Sequence, residues 1–267
     1  MMNLLPMIIE MIAVLAVGQG QALRLDMPDE PGLEAIVIEW NDKSIPFAQD
    51  STGWFTLVGV DLAASPGVNA AELTWTYADG RVRHQVAKID VAAREFTTTR
   101  LEVAPKYVEL STDNQARAAR ERSEISAIYA QITSEALWTE PFDVPIPGVT
   151  GGRNFGHRRV FNDQPRAPHS GADLTAATGT EILAMNRGRV VLAKELFFSG
   201  NAVFVDHGLG IYSVYLHLSE IGVEPGEMID KGQVVGLAGA TGRVTGPHLH
   251  WGVRAQGARV DPFSLLQ

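Results

Sequence analysis

The chain has 267 residues, of which 45% are hydrophobic, and its mean hydropathy is +0.01. This length can hold two domains, and the composition is typical of a globular protein rather than a disordered or polytopic one. Cysteine is absent, which excludes disulfide bonds, thiol catalysis and cysteine-ligated metal. The net charge of −9 falls entirely within residues 1–140, and residues 141–267 are balanced. An acidic N-terminal half argues against nucleic acid or anionic lipid as a partner.

Residues 1–22 are predicted to be a signal peptide. An apolar run from Leu4 to Val17 is followed by small and polar residues, which is the order of an h-region and a cleavage region. No basic residue precedes Arg24 and Glu10 interrupts the run, so a buried N-terminal helix is the alternative interpretation. The run is shorter than the roughly 20 residues of a membrane span, and no stable transmembrane span is expected.

Residues 23–104 are predicted to form an immunoglobulin-like β-sandwich. Short runs rich in β-branched and aromatic residues alternate with turn signals, of which Asp79-Gly80 is typical of a hairpin. His84 is the only histidine of this segment, and we expect it to lie on a solvated strand face. The predicted strands are Ala35–Trp40, Gly53–Val58, Glu72–Tyr77 and Val82–Val86.

Residues 105–140 are predicted to be a helical connector. Thr112 and the three residues after it can form a capping box. Ile125, Ile128 and Tyr129 recur at helical spacing in the alanine-, arginine- and glutamate-rich segment that follows. We expect a helix that packs as a spacer between two domains.

Residues 141–267 are predicted to form a C-terminal, mostly antiparallel β domain, so that the whole chain is mainly β. A proline-rich bend opens this segment, glycine is frequent in it, and no helical periodicity of useful length occurs. The predicted strands are 188–193, 202–206, 211–217, 234–238 and 248–253.

Two histidines separated by one residue, His248 and His250, lie in the last of these strands. Side chains alternate along a strand, so both imidazoles point to the same side at one depth. Upstream, His169 and Asp173 are four residues apart, with Gly171 between them to let the backbone fold both side chains onto one ion. Two histidines and one aspartate are a typical ligand set of catalytic zinc, which keeps one position open. The spacing does not decide which histidine of the pair is the ligand.

Three further histidines lie in this segment. His217 ends the predicted strand 211–217, whereas His157 and His207 lack supporting neighbours in the sequence. His207 follows Asp206 and precedes a glycine, an order typical of a hairpin turn. We expect His157 and His207 to be surface residues.

The C-terminal segment resembles the lysostaphin/LytM-type zinc endopeptidases, which cut peptide bonds in bacterial peptidoglycan. The similarity spans about residues 150–264, and three motifs carry it. They are His169-Ser-Gly-Ala-Asp173 for the family's HxGxD, Tyr215-Leu-His217-Leu218 for its YxHL, and Gly246-Pro-His248-Leu-His250-Trp251 for its GPHLHF/W.

The resemblance implies one zinc ion bound by His169, Asp173 and His250. It implies that His217 and His248 are catalytic, without deciding which is the general base. The protein would then be an endopeptidase that hydrolyses peptide cross-links or stem peptides of peptidoglycan through a zinc-bound water. The bond that it cuts, in a pentaglycine or a meso-diaminopimelate/D-Ala bridge, stays open.

Family members are often kept latent by an upstream side chain or domain. The N-terminal β domain is therefore expected either to occlude or to position the catalytic groove, and Asn154 and Asn162 are candidate occluding ligands. The protein is expected to be exported, to the periplasm of the cell envelope. The alternative functions are a non-catalytic regulator that activates a separate wall hydrolase, and a wall-peptide binding module with a structural zinc.

Overall fold

The chain is mainly β, as the sequence predicts. A computed structural model describes residues 14–149 and 151–266. Within these ranges it contains 21 strands, one α-helix and two short 3-10 helices. Every strand predicted from the sequence lies within or overlaps an observed strand.

The N-terminal region is built from two β-sheets. A five-stranded sheet has the order β1-β8-β7-β3-β4, and a three-stranded sheet has the order β2-β6-β5. Their core contains Ile36, Ile38, Val58, Trp75 and Ile89, each at most 3% exposed. The strands are β1 (Val14–Gly18), β2 (Ala22–Met27), β3 (Leu33–Trp40), β4 (Lys43–Pro46), β5 (Ala48–Gln49), β6 (Trp54–Gly59), β7 (Gly67–Tyr77) and β8 (Val82–Ala92).

The predicted signal peptide overlaps the first described strands. Residues 1–13 lie outside the described residues, whereas β1 pairs in parallel with β8 and β2 begins at Ala22. Cleavage after residue 22 stays a prediction. Within 14–149 and 151–266, no helix combines the length and the apolar character needed to cross a membrane.

The segment between the two β-rich regions joins both of them. Strand β9 (Thr98–Leu101) pairs in parallel with β10 (Arg158–Phe161), and a 3-10 helix (Pro105–Tyr107) follows β9. Helix α1 (Thr112–Tyr129) begins one residue after Ser111, whose hydroxyl accepts a hydrogen bond from the backbone N–H of Asn114 at 3.3 Å. The N-cap is therefore Ser111, not Thr112. Tyr129 and the isoleucines near it pack on the outer face of the C-terminal sheet, so α1 is a packed connector.

The C-terminal region contains a sheet whose main path is β12-β20-β16-β15-β14-β18, and β21 pairs with β20. A small sheet, β13-β19-β17, closes the core from one side, and all these pairings are antiparallel. The strands are β10 (Arg158–Phe161), β11 (Gln164–Arg166), β12 (Gly171–Thr175), β13 (Glu181–Leu183), β14 (Gly188–Leu196), β15 (Gly200–Asp206), β16 (Ile211–Leu218), β17 (Glu220–Ile221), β18 (Met228–Ile229), β19 (Val234–Leu237), β20 (His248–Ala255) and β21 (Ala258–Val260), followed by a 3-10 helix (Pro262–Leu265).

The N-terminal sheet β2-β6-β5 packs directly on this C-terminal region. The Gln256 amide donates to the carbonyls of Leu57 (2.9 Å) and Leu209 (2.6 Å), and accepts from the N–H of Gly59 (3.1 Å). Its donors and acceptor are thus satisfied inside the contact, where an unpaired polar group would be costly. One amide therefore fixes the position of β6 against β20 and β21.

We expect Gly59→Ala to destabilise this contact. A Cβ at Gly59 would lie 2.6 Å from both the carbonyl oxygen and the Cβ of Ala255, so the two regions must move apart. Overpacking of this kind costs roughly 1–3 kcal/mol. Urea unfolding of the full chain measures the effect, with Gly151→Ala as the control, because no heavy atom lies within 4 Å of a Cβ there. Equal unfolding midpoints for the two variants would contradict the prediction.

Candidate active site

The predicted site residues come together on one face of the C-terminal sheet. In the register of β12 and β20, Asp173 lies directly opposite His250, and His248 lies two residues before it. Residues opposite each other in a pair of strands share a face. His169 lies two residues before β12 begins. The structure therefore brings together all five side chains that the motifs indicate. An irregularity in β16 places the fifth, His217, on the same face.

His217 reaches this face because β16 contains a bulge. The register with β15 changes between Val203, opposite Tyr215, and Asn201, opposite Leu218, so that Leu216 and His217 share a single partner position. Regular alternation would place His217 with the fully buried Tyr215 in the core. Instead, His217 has a φ of 67°, in the left-handed region, and its ring lies 5.0 Å from that of His248. Bulges often aim a side chain in this way beside active sites.

Three ligand atoms converge at the centre of the site. His169 Nε2, His250 Nδ1 and Asp173 Oδ1 lie 2.9 Å from one another in every pair. Zinc ligands at about 2.0–2.1 Å in tetrahedral geometry are about 3.3 Å apart, so the spacing is close to that of one face of such a site. Among the described residues this is the group of histidine and acidic side chains that could hold a metal ion.

The protonation of His169 suits a metal ligand. Its Nδ1 lies 3.0 Å from the carbonyl oxygen of Asn154, which can only accept a hydrogen bond. Nδ1 therefore carries the hydrogen, and in the neutral ring Nε2 presents its lone pair to the centre. A backbone carbonyl that fixes the tautomer is the usual partner of a metal-binding histidine.

Asp173 is held by a second set of bonds on its outer oxygen. Arg159 and the Asn154 amide both donate to Oδ2, the latter at 3.1 Å, which leaves Oδ1 facing the histidines. The side-chain oxygen Oδ1 of Asn154 also accepts a hydrogen bond from the backbone N–H of Asp173 at 3.0 Å. Burial opposes the charge of Asp173, but the close contacts with His169 and His250 hold its pKa well below the usual range. The side chain is therefore a carboxylate at neutral pH.

The other two histidines have the same tautomer as His169. Nδ1 of His217 lies 2.9 Å from the carbonyl oxygen of Thr241, and Nδ1 of His248 lies 2.9 Å from that of Gly246. Each Nδ1 donates, so in the neutral ring Nε2 carries the free lone pair, and Nε2 of His248 is 3.7 Å from Asp173 Oδ1. Burial, followed by repulsion from the neighbouring imidazoles, lowers the pKa of His217 to about 3. His217 is neutral at pH 7 and can accept a proton.

The predicted surface position of His207 is wrong. The residue follows β15 at a hairpin turn, as expected, but its ring folds beneath the turn and is 0% exposed. Nδ1 donates to the carbonyl of Arg187 and Nε2 accepts from the Ser213 hydroxyl, both at 2.8 Å. These two bonds satisfy a buried imidazole, which the sequence pattern did not show. His157 is half-buried beside Thr99, and His84 is exposed as predicted.

We expect His207 to make folding stability depend on pH. Burial lowers the pKa of His207 to about 4, from 6.5 for the free side chain. The unfolded chain binds more protons between these values, so stability is full above about pH 6.5 and falls as the pH falls towards 4, by up to about 3 kcal/mol. Urea unfolding at pH 7 and pH 5 should show a smaller pH difference in His207→Gln than in the wild type. Identical differences would contradict the prediction.

The two asparagines proposed as occluding ligands have different positions. Asn154 lies at the site, but both ends of its amide bond to Asp173, so it holds a ligand. Asn162 bonds to the backbone N–H and C=O of Val103, away from the histidines. Arg159 and Thr241 were not predicted, because a single arginine in a short strand and a backbone carbonyl leave no pattern in the sequence.

Comparisons with known proteins agree with this geometry. The family model for Peptidase family M23 matches residues 167–262. The peptidoglycan DD-endopeptidases ShyA and ShyB of Vibrio cholerae are 41% identical over 109 residues and 37% identical over 121 residues. These alignments cover 40% and 45% of this chain, but only 25% and 28% of the relatives, so the chain spans about a quarter of their length.

A solved structure extends the likeness to the N-terminal region. The crystal structure of a candidate peptidase M23 from Pseudomonas aeruginosa is 29% identical to this chain, with a TM-score of 0.67. The match covers 93% of this chain and 94% of the other. The fold is therefore shared over nearly the whole length, including the N-terminal β-sheets.

Proposed function

Residues 167–262 are a peptidase family M23 domain, and we propose that this protein is a zinc-dependent endopeptidase of bacterial peptidoglycan. The observation that carries the proposal is the convergence of three ligand atoms, with the imidazoles of His217 and His248 beside them. The names of the relatives ShyA and ShyB supply the substrate class. The intact ligand set argues against a non-catalytic regulator, which would need none of it.

We assign zinc to His169, Asp173 and His250. Two imidazole nitrogens and one carboxylate oxygen are ligands that zinc prefers, and three protein ligands leave a position for water or substrate. When bound, zinc polarises the scissile carbonyl and lowers the pKa of water beside it. The bonds from Asn154 and Arg159 keep the ligand side chains in place before the ion arrives.

We assign proton transfer to His217 and His248. The Nε2 lone pair of each ring is free, so one imidazole can take the proton of the attacking water. The protonated ring can then give that proton to the leaving amine, and the other can hydrogen-bond to the developing oxyanion. The carbonyls of Thr241 and Gly246 hold the two rings in orientation throughout.

We further propose that the region before residue 141 positions the groove. Strand β9 pairs with β10, which carries Arg159. The Tyr107 ring lies 5.3 Å from that of Phe197, two residues before Ser199, whose carbonyl accepts the backbone N–H of His217. The boundaries at residues 22, 104 and 140 are part of this proposal. A substrate in the cell wall requires export, and we place the enzyme in the periplasm.

Digestion of purified peptidoglycan tests the proposal. The full chain should bind one zinc and release soluble muropeptides, whose masses identify the bond that is cut. His169→Ala should lose both zinc and release, whereas the exposed His84→Ala should keep both. Undiminished release by His169→Ala, or wild-type protein without stoichiometric zinc, would refute the proposed function.

A further inference from the structure

One arginine beside the site lacks an anionic partner. The Arg243 guanidinium lies between two aromatic rings, with its Cζ 4.8 Å from the centre of Phe161 and 4.5 Å from that of Phe198. Within residues 14–149 and 151–266, no carboxylate lies within 4.0 Å of its nitrogens and no side-chain or backbone oxygen accepts from them. By contrast, Arg159 pairs with Asp173 and Arg259 pairs with Asp61.

The surroundings of Arg243 make its unpaired charge unfavourable and an anionic ligand favourable. Burial, followed by repulsion from Arg159 and Arg166, lowers the pKa of Arg243 to about 10. The aromatic faces stabilise the cation but accept none of its five N–H groups in the plane of the guanidinium. The Arg243 side chain is half-buried, and its nitrogens are not among the fully buried side-chain atoms of the described residues that lack a partner. A rigid fork of donors held between two rings favours a planar, two-oxygen acceptor such as a carboxylate.

The fold connects Arg243 to both sides of the site. Its backbone N–H donates to Phe198, and Thr241, two residues earlier, accepts the hydrogen bond of His217. On the other side, both Arg243 and Arg159 contact the Phe161 ring, with Cζ atoms 4.8 and 6.0 Å from its centre. Arg243 is thus two residues from the carbonyl that holds His217, and it shares the Phe161 ring with Arg159, which holds Asp173.

We propose that Arg243 binds a free carboxylate of the peptide substrate close to the bond that is cut. The inference rests on the proposed function and narrows the class of substrate. Stem peptides joined through diaminopimelate carry a free carboxylate beside the cross-link, whereas the interior of a pentaglycine bridge carries none. Arg243 therefore selects the carboxylate-bearing cross-link.

A matched pair of substrates tests this selection. The two cross-linked stem peptides differ only in the carboxylate beside the scissile bond, which is free in one and amidated in the other; pentaglycine is a third substrate. The wild type should prefer the free acid over the amide in kcat/KM by about 10-fold or more, because charge-assisted hydrogen bonds to a carboxylate are strong. Arg243→Gln should bring the ratio close to one, mainly by slowing cleavage of the acid, and Arg243→Lys should keep part of the preference. The exposed Arg120→Gln loses the same charge on α1 and should keep the wild-type ratio.

The outcomes separate the inference from the proposed function. Cleavage of the amide by Arg243→Gln at the wild-type rate shows that the variant is folded and that its metal site is intact. Wild-type cleavage without preference for the acid, or a preference that persists in Arg243→Gln, overturns the inference and leaves the proposed function standing. If the wild type cleaves no peptide, calorimetric binding of the acid and amide peptides decides: a preference for the acid that Arg243→Gln abolishes supports the inference, and equal binding overturns it.

Discussion

His217→Ala and His248→Ala are each expected to lose about 10²–10⁴-fold in kcat on peptidoglycan peptides while keeping one zinc per chain. Each substitution removes an Nε2 that faces the centre without removing any of the three ligand atoms. The Nδ1 bonds to Thr241 and Gly246 are lost as well, but neither carbonyl holds a ligand. The measurement pairs steady-state kinetics with metal analysis of the same preparations.

Variants of the proposed zinc ligands provide the matched comparison for His217→Ala and His248→Ala. Asp173→Ala should lose zinc and activity together, whereas the two histidine variants should lose activity alone. If His248→Ala also lost its zinc while His250→Ala kept it, the assignment of ligand and catalytic histidine within the pair would be reversed. Full activity of His217→Ala would remove that residue from the catalytic set.

Local sequence patterns predicted nine of the 21 strands of the described residues, together with helix α1. Alternating β-branched and aromatic runs give strands, and the isoleucine spacing gives α1, because both patterns depend on neighbours within a few residues. Residues at the ends of elements were harder to predict. The sequence allowed Thr112 as a cap, but the extended backbone of Ser111 places its hydroxyl on the helix end instead.

The residues that form the site were predictable from the sequence, but the contacts that hold them in place were not. Period-2 alternation places His248 and His250 on one face, and the register of β12 with β20 then adds Asp173. His217 breaks the alternation because β16 contains a bulge. This bulge depends on the pairing of β16 with β15, so the sequence of β16 alone does not show it. Its YxHL motif identified the residue without explaining how it reaches the site.

Buried polar partners account for the other differences. His207 appears in the sequence as a turn residue, and only the tertiary structure provides the Arg187 carbonyl and the Ser213 hydroxyl that allow it to be buried. The bonds from Asn154 and Arg159 to Asp173 span 19 and 14 residues, so no short motif contains both partners. Side chains that hold the ligands are thus set by contacts between loops and strands.

Asn154→Ala is expected to weaken zinc binding about 10- to 100-fold, the usual effect of removing a partner that orients a ligand. The substitution removes both bonds between the Asn154 amide and Asp173. It keeps the backbone carbonyl that fixes the tautomer of His169, so the ligand atoms themselves are unchanged. Competition with a chromophoric chelator measures the affinity. Activity should return towards the wild-type level as zinc is raised, because the catalytic histidines are intact.

Asn162→Gly is the matched control, because this asparagine bonds to Val103 rather than to a ligand and glycine tolerates its φ of 46°. The control should bind zinc with wild-type affinity. Equal affinity of Asn154→Ala and wild type would show that Arg159 alone holds Asp173. Loss of activity that excess zinc cannot restore would instead assign Asn154 a role beyond the ligands, in contact with the substrate.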